Sequence, residues 1–181
     1  DMLFPPGTPS RIPILAITGT NGKTTTTRLT AHLMRSAGHK VGMTCSDGVY
    51  IQNRMLMTGD CTGPASAQFV LKDPLVDMAV LETARGGLVR SGLGFEHCDV
   101  AIVTNVAADH LGLKDIHTLE ELAHVKSTVP RSVRQDGYAI LNADDELVMA
   151  MRKQCTAKIA LFSLDENNRL IRQHCKLGGL A

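Results

Sequence analysis

Lys23 and Thr24 follow Gly22 in the run Gly19-Thr20-Asn21-Gly22-Lys23-Thr24-Thr25. Glycines, a lysine and a hydroxyl in that order suit a loop that cradles a polyphosphate. The glycines let backbone N–H groups approach the oxygens, the lysine reaches the β- and γ-phosphates, and the hydroxyl takes a Mg²⁺. Ile14-Leu15-Ala16-Ile17-Thr18 before the loop reads as a strand and the pattern after Lys23 is helical, so a helix N-terminus directs its positive dipole end at the same oxygens. The common spacing G-x-x-x-x-G-K-[ST] puts its first glycine at position 17, which is Ile here; this loop is shorter and starts at Gly19. The ordinary alternative is a solvated lysine in a glycine-rich turn. Strand, glycines, Lys-Thr and helix in sequence weigh against it.

Three further positions could do chemistry. Glu82 ends an apolar run that starts at Asp77, a costly place for a carboxylate unless a cation or hydrogen-bond donors meet it. A Mg²⁺ beside the loop would satisfy it, and an exposed strand end is the alternative. Asp109-His110 offers two possible metal ligands beyond another apolar run, although such a turn also serves as a helix cap. Lys126 falls inside a helical apolar stripe of Leu119, Leu122, Val129 and Val133, and neither Glu120 nor Glu121 stands at the favourable i,i+4 spacing. Such a lysine either snorkels to water or is held inward near phosphate or metal. No Ser/His/Asp or Cys/His order stands out for nucleophilic catalysis. None is needed where ATP activates a carboxylate as an acyl phosphate that an amine then takes, since that chemistry asks mainly for positioning and charge neutralisation.

The elements that must position these residues alternate between strand and helix. Strands are expected at 14–18, 41–45, 77–82, 99–104, 137–142 and 157–163, with a ribbon within 48–57 around Gln52-Asn53-Arg54. Helices are expected at 24–37, 63–71 with Thr62 as cap, 118 to about 133 with a Thr118/Glu121 capping box, and 144–153. Pro130 should kink or shorten the third of these. The alternation and the near-continuous apolar strands indicate an α/β fold with a doubly wound, mainly parallel sheet. Thr18, Glu82, Thr104 and Asn142 then share the carboxyl edge of that sheet, where ligands sit.

Composition narrows the partners. A chain of 181 residues with 44% apolar residues can bury a core, and a formal net charge of +1 with 3% aromatics gives no case for nucleic acid or an anionic membrane. Five scattered cysteines without a C-x-x-C pair read as reduced thiols of a cytoplasmic protein. Prolines at 5, 6, 9 and 13 make 1–13 an extended linker from a preceding domain; 14–164 is the domain proper, and 165–181, with no element completed from His174 onward, leads toward a further domain.

The run 18–25, Glu82, Asn105-Val106-x-x-Asp109-His110, Lys126 and Asn142-Ala143-Asp144-Asp145 resembles the central ATP-binding domain of the Mur ligases. Within that superfamily, Asp1 to Pro5, Ser10 to Pro13, Gly59-Asp60-x-Thr62-Gly63-Pro64 and Leu81 to Gly87 resemble the cyanophycin-synthesising ligases. The resemblance implies an ATP- and Mg²⁺-dependent ligase that joins arginine to the β-carboxylates of an aspartate polymer. By the same resemblance, Gly19 to Thr25 bind the phosphates, Lys23 and Lys126 act in catalysis, Thr24, Glu82 and His110 serve the metal, and Asn142 with Asp145 the base and ribose. Lys126 matches a lysine carbamylated in many Mur ligases. Thr62, Gly63 and Arg85 match the substrate side. The expected partners are ATP, arginine, the polymer, the parent's other domains and another copy of the chain. Alternatives left open are a peptidoglycan-precursor or folylpolyglutamate ligase, or a nucleotide-binding module without turnover of its own.

Overall fold

The computed structural model describes residues 11–108 and 116–181. It contains β1 (Ile14–Thr18), α1 (Lys23–Ser36), β2 (Val41–Cys45), β3 (Gly48–Ile51), β4 (Arg54–Thr58), α2 (Pro64–Leu71), β5 (Met78–Glu82), α3 (Arg85–Ser91), β6 (Cys98–Val103), α4 (Leu119–Arg131), β7 (Val133–Asn142), α5 (Glu146–Met151), β8 (Lys158–Phe162) and α6 (Arg169–Lys176). The strands form one sheet in the order β4-β3-β2-β5-β1-β6-β7-β8. All neighbours are parallel except the β2-β3 and β3-β4 pairs, so the mainly parallel, doubly wound sheet is found as expected.

The topology dictates which face each helix covers. From β1 the chain passes over β5 to reach β2, whereas the connections ending in β5, β6, β7 and β8 all step the other way. A single crossover hand therefore puts α1 on one face and the later connecting helices on the opposite face. The core divides accordingly: Ile17, Ala31, Val41, Met43 and Val80 pack on the α1 side, while Ala16, Val70, Leu81, Leu122, Val129 and Val148 pack on the other. β1 lies between β5 and β6, so its carboxyl end opens at the point where strand order reverses, the usual ligand crevice of such sheets.

Several local expectations are corrected. Thr62 does not cap α2; Gly63 is the cap residue, and the Thr62 hydroxyl donates to Asp60 Oδ1 at 2.7 Å. α4 has the expected Thr118/Glu121 capping box but ends at Arg131, one residue past Pro130, and Val133 opens β7 instead of extending the apolar stripe. α3 was not legible because Gly86 and Gly87 are poor helix formers. A methyl at Gly87 would lie 3.0 Å from Gly63 Cα, so close packing of α3 on the start of α2 requires glycine. The C-terminal stretch completes structure that the sequence reading did not assign. α6 is capped by Asn168, and Leu161 N–H donates to Leu180 O at 3.0 Å. No helix among the described residues is long and apolar enough to cross a membrane.

Gly19 and Gly22 both have positive φ, +147° and +80°, but their surroundings differ. A methyl at Gly19 would lie 1.9 Å from Thr104 Oγ1, whereas one at Gly22 meets nothing within 4 Å. Gly22→Ala is therefore expected to cost about 1 kcal/mol of unfolding free energy, and Gly19→Ala about 2–4. Denaturant midpoints measure both; equal midpoints would show that Thr104 yields without cost.

Candidate functional site

The loop from Gly19 to Gly22 is held open by the strand end beside it. Thr20 N–H donates to Asn105 O at 2.9 Å and Asn21 N–H to Asn105 Oδ1 at 2.9 Å. Asn105 Nδ2 donates back to Asn21 O at 3.1 Å, and Thr104 Oγ1 donates to the same carbonyl at 2.7 Å. From the far side, Lys126 Nζ donates to Gly19 O at 2.6 Å. Lys126 is 3% exposed, so it does not snorkel; its ammonium is turned inward onto the loop. Lys23 Nζ bridges its own loop to Thr20 O at 2.7 Å.

Lys23, Arg85 and Lys126 line a cavity of about 200 Å³ together with Gly19, Thr20 and Gly86. Three basic side chains on a glycine-rich wall make this cavity a candidate anion site.

Beside this cavity Glu82 Oε2 accepts from Thr24 Oγ1 at 2.9 Å and from Ser46 N–H at 3.2 Å. Ser46 Oγ also lies 2.9 Å from Thr24 Oγ1. Glu82 is 3% exposed, and burial pushes its pKa above the ordinary carboxylate value, against the hydrogen bonds from Thr24 and Ser46 and the charge of Lys23, while Asp60 adds to the rise. A buried carboxylate beside two hydroxyls is a set of hard oxygen donors, which fits a Mg²⁺ that keeps several waters. Among the described residues no cluster of three or more His, Cys, Asp or Glu could hold a metal, so a site here is of mixed carboxylate and hydroxyl type. His110, and Asp109 before it, lie outside the described residues.

The other expected site residues fall into three groups. Asn21 and Thr25 are exposed at the loop and the first turn of α1. Asn142 and Asp145 tie strand ends together: Asn142 Nδ2 donates to Thr104 O at 2.8 Å, and Asp145 Oδ2 accepts from Val106 N–H at 2.7 Å while Oδ1 caps α5. Thr62 and Gly63 lie beside Gly87, the residue that follows the cavity-lining Arg85 and Gly86. Ser46 was missed in the sequence. Its signal was its place just beyond the expected strand 41–45, at the same carboxyl edge as Glu82.

Parallel sheet, phosphate-type loop and carboxylate–hydroxyl pair together describe a nucleotide-binding α/β domain of one particular lineage. Residues 17–178 match the family described as the Mur ligase middle domain, and the chain belongs to that family. It is 60% identical over 181 residues to cyanophycin synthetase from Crocosphaera subtropica, covering 100% of this chain and 21% of that protein. The chain thus spans about a fifth of the length of that relative. Among solved structures, a UDP-N-acetylmuramoyl-L-alanyl-D-glutamate–2,6-diaminopimelate ligase is similar with a TM-score of 0.71 and 30% identity, over 86% of this chain and 33% of that one. Folylpolyglutamate synthase from Mycobacterium tuberculosis, solved with ADP and AMPPCP, shares the fold with a TM-score of 0.56 at 19% identity, over 86% and 44% of the two chains.

Because its pKa is raised, ionised Glu82 destabilises the metal-free fold at neutral pH, and that cost is relieved as pH falls through the raised value. Glu82→Gln keeps an acceptor for Thr24 and Ser46 without the charge. The metal-free variant is expected to be no less stable than wild type at pH 7, while any Mg²⁺-dependent rise in Tm in the presence of ATP is lost. A rise equal to that of wild type would exclude Glu82 from the metal site.

Proposed function

We propose that this chain is the ATP-binding domain of an ATP-dependent amide ligase, and that its parent protein joins arginine to the β-carboxylates of an aspartate polymer, releasing ADP and phosphate. The observation that carries the reading is the cavity lined by Lys23, Arg85 and Lys126 on the glycine-rich loop, beside the buried Thr24–Glu82 pair. The likeness to cyanophycin synthetase at 60% identity supports the arginine and polymer assignment over the peptidoglycan alternative, whose similar structure stands at 30%.

In this reading the N–H groups from Gly22 onward at the α1 N-terminus hold the β- and γ-phosphates, and Lys23 turns from Thr20 O to them. Thr24, Ser46 and Glu82 would hold Mg²⁺, with His110 as a further ligand by resemblance; when bound, the ion supplies charge neutralisation on the phosphates. The substrate carboxylate attacks the γ-phosphorus, forming a new P–O bond as the bond to the ADP oxygen breaks. The amine then attacks the acyl carbon and phosphate leaves. Arg85 and Lys126 neutralise charge around the transferring group, Lys126 fixes the loop through Gly19 O, and Thr62 and Gly63 face the acceptor side. Asn142 and Asp145 set the floor on which base and ribose rest. Closure of the parent's other domains over the crevice would exclude water from the acyl phosphate.

Lys23→Ala removes a charge-assisted contact worth about 1.5–3 kcal/mol, so ATP affinity measured by calorimetry should fall roughly tenfold or more while the fold survives. Unchanged affinity would remove Lys23 from the site. In the full-length protein, ADP release with ATP and Mg²⁺ should require both arginine and an aspartate-polymer primer. Release driven equally by other amino acids would overturn the substrate assignment.

A further inference from the structure

The turn between β2 and β3 carries Ser46 against the Thr24–Glu82 pair, and its next residue, Asp47, is gripped from several sides. Arg28 Nη2 donates to Asp47 Oδ2, Tyr50 OH donates to the same oxygen at 3.0 Å, and Cys45 Sγ donates to Oδ1 at 2.8 Å. Arg28 also donates to Tyr50 OH at 3.2 Å, and its guanidinium stands 5.4 Å from the centre of the Tyr50 ring. The Asp47 carbonyl accepts from Gly59 N–H at 3.1 Å. Arg28 lies four residues after Thr24 on α1, so the two share a helix face and reach adjacent residues of one turn: Thr24 touches Ser46, and Arg28 touches Asp47.

As a source of stability this cluster is weak. The Arg28 and Asp47 side chains are each 46% exposed, and exposed ion pairs contribute little. As a source of orientation it is well placed. Ser46 N–H is one of the two donors that hold the buried Glu82 carboxylate, and a shift of the turn would leave that carboxylate short of a partner.

We propose that Arg28, Asp47 and Tyr50 are positioning residues that lock the Ser46 turn, presetting the Thr24, Ser46 and Glu82 oxygens for a divalent cation at the phosphate site. The proposal rests on the nucleotide-binding reading above. The strut touches neither nucleotide nor metal; it acts through Ser46. Its signature is a changed metal requirement with an unchanged loop.

The test uses Arg28→Met, Tyr50→Phe and the conservative Arg28→Lys in the full-length chain, with ADP and Mg²⁺ as probes. ADP affinity is measured by calorimetry in EDTA and across a Mg²⁺ titration. In EDTA all three variants should match wild type within about twofold, while the half-saturating Mg²⁺ concentration rises roughly threefold to fivefold for Arg28→Met and less for Arg28→Lys and Tyr50→Phe. An unchanged Mg²⁺ requirement in Arg28→Met overturns the proposal. So does an equal loss of affinity with and without metal, which would mean a general loosening of α1. If wild type binds ADP with no Mg²⁺ dependence, the nucleotide–metal reading itself fails and the strut falls with it; if only the variants match wild type, the strut alone fails.

Discussion

A methyl group at Gly19 would overlap the Thr104 hydroxyl, and the site depends on that space staying free of a side chain. With no Cβ there, the end of β6 comes close enough for Thr104 and Asn105 to hydrogen-bond to the backbone of Thr20 and Asn21. The loop is then braced from outside its own βα unit. A phosphate loop must present N–H groups to an anion without satisfying them internally, so it cannot be rigid through its own hydrogen bonds alone. Here the brace from the end of β6 takes the N–H groups of Thr20 and Asn21, and Lys126 of α4 holds Gly19 O, so anion binding falls to the N–H groups from Gly22 onward at the start of α1.

On one side of the loop Lys23, Arg85 and Lys126 line a cavity; on the other Glu82 sits buried with hydroxyls and one N–H. The buried carboxylate is costly alone, because it is desolvated. In the proposed function a divalent cation would relieve that cost at Glu82 while its polyphosphate meets the basic side chains.

Much of the fold was legible because its signals are local. The strand into Gly19, the Lys-Thr opening of α1 and the Thr118/Glu121 box each reside in a few consecutive residues. What escaped depends on tertiary packing. α3 carries two glycines, and its helical state depends on Gly87 seating against Gly63. α6 is set by Asn168, which also reaches Asp144 across the edge of the sheet at 2.8 Å. The inward direction of Lys126 was open in the sequence since a stripe position fixes a helix face and not a partner. The signal for Ser46 was weak because a serine in a tight turn has many ordinary uses, and the parallel register of β2 with β5 is what brings its turn beside Glu82.

That register explains why the catalytic candidates lie so far apart in the chain and so close in space. Thr44 pairs with Leu81 and Ile17 with Glu82, so the residues just past β2, β5 and β1 emerge side by side. A slip of one residue in β5 would move Glu82 to the opposite face of the sheet. The burial of Leu81 on one face and Val80 on the other opposes such a slip, since it would exchange their environments. Packing of the core therefore sets the carboxylate's direction, and the hydroxyls of Thr24 and Ser46 need only complete a geometry that the sheet has already imposed.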